Sequence, residues 1–147
     1  MSAQPFIVKP GEGSSSLTAV GVKIDVLVSE DDSQAQRITH QTGAEGVGPP
    51  PHSHPWDESF YVTKGNVIFT AGGVTTNCTA GTLVHIPAGT IHAFSFGPDG
   101  AEMLEMTGTG SRAIQMFRAM DRELKPGPID VPKTVEVCGR FGLTFHI

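Results

Sequence analysis

Two histidines and a glutamate in the middle of the chain are spaced as metal ligands. His52 and His54 stand two positions apart after a run of prolines, and Glu58 follows His54 by four positions. Side chains two positions apart in an extended segment point the same way, so the two imidazoles can converge on one point. Glu58 begins the next predicted strand, and its parity places Phe60 on the same inward face. The pattern runs without a gap from Gly46 to Gly65, as G-x5-H-x-H-x3-E-x6-G.

A second pattern downstream supplies a third imidazole. Gly81 to His92 form G-x5-P-x-G-x2-H, and His92 closes the site only if the sheet folds back on itself. Three imidazoles and one carboxylate suit one divalent transition metal, which could be Fe, Mn, Ni, Co, Cu or Zn. Such a set leaves one or two coordination positions open for water or substrate. The net positive centre would attract an anionic or enolate-like oxygen.

Regular turn residues predict that these ligands lie on short strands. The 147 residues suit one domain, and the 18 glycines and 11 prolines make up about a fifth of them, against an average near ~12%. Alternation at Val22, Ile24 and Val26 is typical of a strand with one buried face. Strands are predicted at 20–28, 35–41, 58–64, 66–71, 74–78, 83–86, 92–96 and 102–106, with turns at residue 65 and at 97–100. Strands spaced in this way indicate a β-sandwich or a small barrel.

The last third of the sequence changes from strand to helix patterns. Ala113, Phe117, Met120 and Leu124 share one helical face, which predicts a short amphipathic helix. Asp130 is a predicted N-cap of a second helix. We therefore predict a flexible N-terminal arm at 1–16, a barrel at 17–110 and a helical tail at 111–147.

Charge and hydropathy exclude several classes of partner. The net charge is −5 and no run of Lys or Arg occurs, so neither nucleic acid nor an anionic membrane surface is an expected partner. No apolar stretch reaches the ~18 residues of a membrane span. Without a recognisable secretory signal, we expect a cytoplasmic location, where Cys78 and Cys138 would be reduced thiols.

At both patterns the sequence resembles the cupin superfamily. The resemblance implies an all-β fold, an antiparallel jelly-roll β-barrel with the metal inside, followed here by one or two short C-terminal helices, and usually a homodimer. It implies metal ligation by His52, His54, Glu58 and His92. One position departs from the pattern, since the family commonly has Asn where this chain has Phe96.

The tail, with Asp130, Lys133 and the segment 140–143, resembles the small cupins called quercetin-dioxygenase-like. That resemblance implies a dioxygenase-type oxidoreductase acting on a small phenolic or enolizable compound. Glu58 would be both ligand and catalytic base, and Phe60, Phe94 and Phe96 would bind the apolar body of the substrate. Two alternatives remain open: a non-redox metal-dependent cyclase, isomerase or lyase, and a small-molecule-binding cupin without turnover.

Five further side chains are left with open or minor roles. His85 has outward parity, and His40 is expected at the surface. Trp56 either caps the rim of the metal site or packs between protomers. Of Glu102 and Glu105, which fall on opposite faces of one strand, one must point inward, and parity alone does not choose between them.

Overall fold

The computed structural model describes residues 4–147, and within this range the chain forms nine strands and two helices. The first three residues of the predicted arm lie outside the described residues. The strands are β1 (Ser15–Ala19), β2 (Val22–Val28), β3 (Gln36–Gly43), β4 (His52–Ser53), β5 (Glu58–Ala71), β6 (Val74–Thr79), β7 (Leu83–Ile86), β8 (His92–Gly108) and β9 (Thr144–Phe145). The helices are α1 (Ala113–Glu123) and α2 (Val131–Gly139).

The strands form one curled antiparallel sheet, organised around β8. Its path runs β1-β2-β3-β8-β4-β9, and β5 pairs with β6, β7 and β8. Because β8 pairs with β3, β4 and β5 along its length, the sheet bends round an apolar interior rich in phenylalanine. The all-β, antiparallel jelly-roll prediction is confirmed.

Two predicted turns are instead irregularities inside long strands. β5 continues through Gly65, and β8 continues through 97–100. The register between them shifts here, because Gly65 pairs with Ala101 whereas Val67 pairs with Phe96. Extra residues in one strand reverse the facing of those that follow. Accordingly His92 and Phe94 face inward before the shift, and Met103 and Glu105 face inward after it.

The first predicted strand, 20–28, begins at Val22 in the structure, and the unpredicted strand β1 precedes it. Val20 (φ 42°) and Gly21 (φ 86°) form the turn of a hairpin between β1 and β2. Val20 therefore belongs to a turn although its spacing matches the valines that follow. β1 begins at Ser15, inside the segment predicted as an arm.

The two predicted helices are present and lie beside the barrel. The Asp130 side chain accepts a hydrogen bond from the Lys133 amide (3.0 Å), as expected of an N-cap. Asp121 on α1 accepts a hydrogen bond from the Thr18 amide of β1 (2.9 Å), which ties α1 to the sheet. Beyond α2, the unpredicted strand β9 pairs with β4, with Phe145 opposite His52. The end of the tail thus holds the strand that carries a predicted ligand.

Within residues 4–147, no helix is long and apolar enough to cross a membrane. Cys78 and Cys138 are both buried and form no disulfide, which agrees with the prediction of two free thiols.

Candidate metal centre

Three neighbouring elements bring the predicted ligands together. His52 on β4 and His92 at the start of β8 are a cross-strand pair, His54 follows β4, and Glu58 is the first residue of β5. All four side chains are buried. Nitrogen atoms of the three histidines lie within 4.8 Å of one another. The two sequence patterns therefore meet in space as predicted.

Each imidazole is held by a backbone carbonyl two residues away. His52 Nδ1 lies 2.9 Å from the Pro50 oxygen, His54 Nδ1 lies 3.0 Å from that of Trp56, and His92 Nδ1 lies 2.8 Å from that of Thr90. A carbonyl oxygen only accepts hydrogen bonds, so each Nδ1 carries the proton. Every Nε2 is therefore left to bind a cation, and this use of the second ring nitrogen is typical of metal-ligating histidines.

The Glu58 carboxylate, the fourth predicted ligand, lies against two of the histidine rings. Its Oε2 lies 2.8 Å from His54 Nε2 and 3.2 Å from His92 Nε2. Lone pairs on a carboxylate and on unprotonated imidazole nitrogens repel each other at these distances, so a proton or a metal cation must lie among them. The donor set and the fixed tautomers fit a divalent transition metal. They do not select one metal from the predicted group.

Burial and neighbouring charges set the ionisation of the centre without metal. Burial, followed by the charge of His92, lowers the pKa of His52 to about 4, so that this ring is neutral at neutral pH. Burial alone would raise the pKa of Glu58, but its interactions with the rings of His54 and His92 and with Glu105 outweigh burial, and the net shift is downward. Burial likewise lowers the pKa of His92, yet the Glu58 carboxylate raises it by more. His92 is therefore the ring on which the Glu58 carboxylate favours a proton when no metal is bound.

Glu105 is a functional candidate that sequence parity left undecided. Its side chain is 0% exposed, whereas Glu102 lies partly exposed on the outer face. Burial and the Glu58 charge raise the pKa of Glu105 well above its usual value. Burial and the Glu58 charge thus favour the neutral acid of Glu105, whose Oε1 accepts a hydrogen bond from Thr39 Oγ1 (2.9 Å) and whose Oε2 has no hydrogen-bond partner within the described residues.

Trp56 packs directly on the centre. Its ring stacks on that of His54 at 4.5 Å between centroids and 12° between planes. The indole Nε1 is buried and has no hydrogen-bond partner within the described residues. Of the two predicted positions for Trp56, the rim of the metal site is the one seen in this chain.

A small apolar cavity adjoins the ligands, with a volume of about 60 Å³. The barrel contributes Ile24, Gln41, Phe60, Phe94 and Glu105 to its wall. α1 covers it with Met116, Phe117 and Met120. Typical ligand pockets measure about 300–1,000 Å³, so most ligands would require the methionine wall to move. Flexible, polarizable methionine side chains suit such a wall.

The three predicted substrate-binding phenylalanines differ in their access to the cavity. Phe60 and Phe94 line the cavity, with ring centroids 5.6 Å apart. Phe96 is fully buried behind Phe94, 5.5 Å between centroids, and is not part of the cavity wall. Phe96 supports Phe94 by packing and has no direct access to a ligand in this conformation.

His85 and His40 lie away from the centre. His85 is exposed on β7, with Nδ1 2.8 Å from Ser59 Oγ. His40 lies on the outer face, 3.2 Å from a Glu102 oxygen. Both positions agree with the surface roles expected from parity.

Comparison with known families finds one match within the barrel. Residues 39–106 match the family model of the cupin domain, and the matched range contains all four predicted ligands. This part of the chain is therefore similar to the cupin domain. No curated protein matches the chain.

Solved structures, among them one named as a cupin, share this fold at low sequence identity. An RmlC-like cupin from Shewanella frigidimarina is 19% identical, with a TM-score of 0.61 over 73% of this chain and 94% of its own. A predicted oxalate decarboxylase from Thermotoga maritima is 18% identical, with a TM-score of 0.63 over 71% and 99%. The polyketide cyclase RemF from Streptomyces resistomycificus is 24% identical, with a TM-score of 0.56 over 63% and 68%. These similarities establish the cupin fold and leave the activity of this chain to the chemistry of its site.

Proposed function

We propose that this protein is a mononuclear metal-dependent enzyme, a dioxygenase-type oxidoreductase acting on a small phenolic or enolizable compound. The observation that carries the proposal is the convergence of three Nε2 atoms and one buried carboxylate beside an apolar cavity. Apolar walls with few polar groups favour a hydrophobic substrate that carries an oxygen.

In such a reaction each side chain of the site would have a separate role. A bound divalent metal supplies positive charge that acidifies a coordinated substrate hydroxyl and, if it is redox-active, a route for electrons to dioxygen. Glu58 accepts the hydroxyl proton on its carboxylate. Glu105, a neutral acid beside Glu58, would offer that carboxylate a hydrogen-bond donor. Phe60 and Phe94 bind the carbon skeleton and exclude water.

A second candidate function also depends on the metal but does not use dioxygen. Three imidazoles and a carboxylate also suit zinc, which has no redox chemistry and acts as a Lewis acid. Similar folds include a polyketide cyclase and a DMSP lyase. The second candidate is therefore a metal-dependent cyclase, isomerase or lyase.

Elemental analysis of untagged protein, followed by an oxygen-uptake screen with phenols and 1,3-diketones, tests these proposals. We expect about one metal per chain, lost in His54→Ala and retained in His85→Ala, a matched control on the outer face. Turnover that stops without oxygen supports the dioxygenase, and turnover that continues supports the Lewis-acid candidate. A chain that binds no added metal would overturn both. Tight ligand binding without turnover would indicate the binding cupin instead.

A further inference from the structure

Gln41 is a buried amide with little of its hydrogen-bonding capacity used. It lies on the inward face of β3, is 3% exposed and lines the cavity. Within residues 4–147 its side chain makes one hydrogen bond, from Nε2 to Thr39 Oγ1 at 3.3 Å. A primary amide offers two donors and an oxygen with two lone pairs, so most of this capacity faces the cavity unused.

Gln41 is a polar group among mostly apolar side chains that line the cavity. A leucine would fill similar space on this wall. The barrel also contributes the hydrocarbon side chains of Ile24, Phe60 and Phe94, and the carboxyl group of Glu105. Gln41 and Glu105 are therefore the polar barrel side chains that the structure places on this wall besides the predicted metal ligands.

A chain of hydrogen bonds fixes Gln41 relative to the metal centre. Thr39 Oγ1 accepts from Gln41 and donates to Glu105 Oε1 at 2.9 Å. Glu105 in turn contacts Glu58. The amide is therefore held at a set position relative to the atom that would receive the substrate proton.

We propose that Gln41 is a specificity-determining residue that binds a second hydroxyl group of a phenolic substrate, one that does not coordinate the metal. This inference rests on the proposed function for the substrate's first oxygen. The amide oxygen accepts from the second hydroxyl, or Nε2 donates to it, while Phe60 and Phe94 hold the ring. A 1,3-dihydroxylated ring suits this arrangement because its two hydroxyls cannot chelate one metal together.

Two probes of nearly equal size isolate this hydrogen bond. Resorcinol and 3-methylphenol differ only by a hydroxyl in place of a methyl group. Their dissociation constants are measured with the cobalt-loaded full chain, from changes in its visible absorption. We expect the wild type to prefer resorcinol by about tenfold, as one buried hydrogen bond allows. Gln41→Leu should abolish or reverse this preference, and Gln36→Leu, an exposed control on the same strand, should keep it.

Stability separates a binding role from a structural one. Because the Gln41 side chain makes only one long hydrogen bond (3.3 Å) within the described residues, Gln41→Leu should leave the Tm unchanged or raise it, and Gln41→Met serves as a second variant if leucine misfolds. An unchanged preference in the variant, a lowered Tm, or no binding of either probe to wild type would overturn the role of Gln41. Failure to bind cobalt would overturn the proposed function as well. If the chain binds cobalt and turns over phenols, but the preference for resorcinol is the same in the variant, only the proposed role of Gln41 would be overturned.

Discussion

The carboxyl group of Glu105 on β8 contacts the carboxylate of Glu58 on β5 inside the barrel. Phe60 is the cross-strand partner of Glu105, and Glu58 lies two residues before Phe60 on the same inward face. Two buried carboxyl groups in contact cannot both be ionised. Glu58 is held ionised by the histidines, so Glu105 carries the proton, and this O–H is available to Glu58 as a hydrogen-bond donor.

Substitution of Glu105 should weaken metal binding only if the new side chain cannot donate a hydrogen bond to Glu58. Glu105→Gln keeps a donor toward Glu58, and we expect its metal affinity to stay within about threefold of wild type. Glu105→Leu removes the donor and should weaken binding by about 10–100-fold, as is typical of groups that orient metal ligands. Competition with a chelator measures both affinities. Equal losses in the two variants would show that the hydrogen bond does not orient Glu58.

Metal affinity should fall as the pH is lowered. The Glu58 carboxylate raises the pKa of His92 above 6.5 in the metal-free protein, so below that pKa a proton must leave before metal binds. We expect about a tenfold loss of affinity per pH unit there. His52, with its pKa lowered to about 4, releases no proton at higher pH. Calorimetry in buffers of different ionisation enthalpy counts the protons, and a flat profile between about pH 5 and 8 would contradict the prediction.

Two glycines in the loop before His52 should differ sharply in their tolerance of alanine. Gly46 (φ 81°) has open space around it, whereas a Cβ on Gly48 (φ 153°) would overlap the Phe94 carbonyl. Gly46→Ala should cost about 1 kcal/mol through its backbone conformation alone. Gly48→Ala should cost more and also lower metal affinity, since this loop leads to His52. Denaturant unfolding gives both free energies, and similar values would show that the loop adapts to the added methyl group.

Neither cysteine should react in the folded protein. Burial raises the pKa of Cys138 to about 11 and also raises that of Cys78, and both side chains are buried. We expect iodoacetamide at about pH 8 to label neither thiol until the chain is unfolded, and then both. Mass spectrometry counts the labels. Rapid native labelling of Cys138 would instead show that α2 moves away from the cavity.

The sequence predicts the ligand set because local spacing and chemistry decide it. His52 and His54 stand two apart on one extended segment, and the two patterns together supply His92 and Glu58 in order. The short strands, both helices and the Asp130 cap also follow from turn spacing, periodicity and capping, and the jelly-roll fold follows from the resemblance to the cupins. These features depend on residues close in sequence, where the backbone geometry is known in advance.

What only the tertiary structure decided is which polar side chains share the interior. The strand irregularity at 97–100 reverses which side chains of β8 face inward, so that Glu105 points inward and Glu102 outward. The sequence predicted a turn at 97–100 and therefore gave no facing for the residues beyond it. Gln41 and Trp56 reach the cavity because of how β3 and the loop after β4 pack, and β9 reaches β4 from the far end of the chain. Contacts between distant segments depend on register and curvature, which hydrogen bonding across the whole sheet determines and no local pattern encodes.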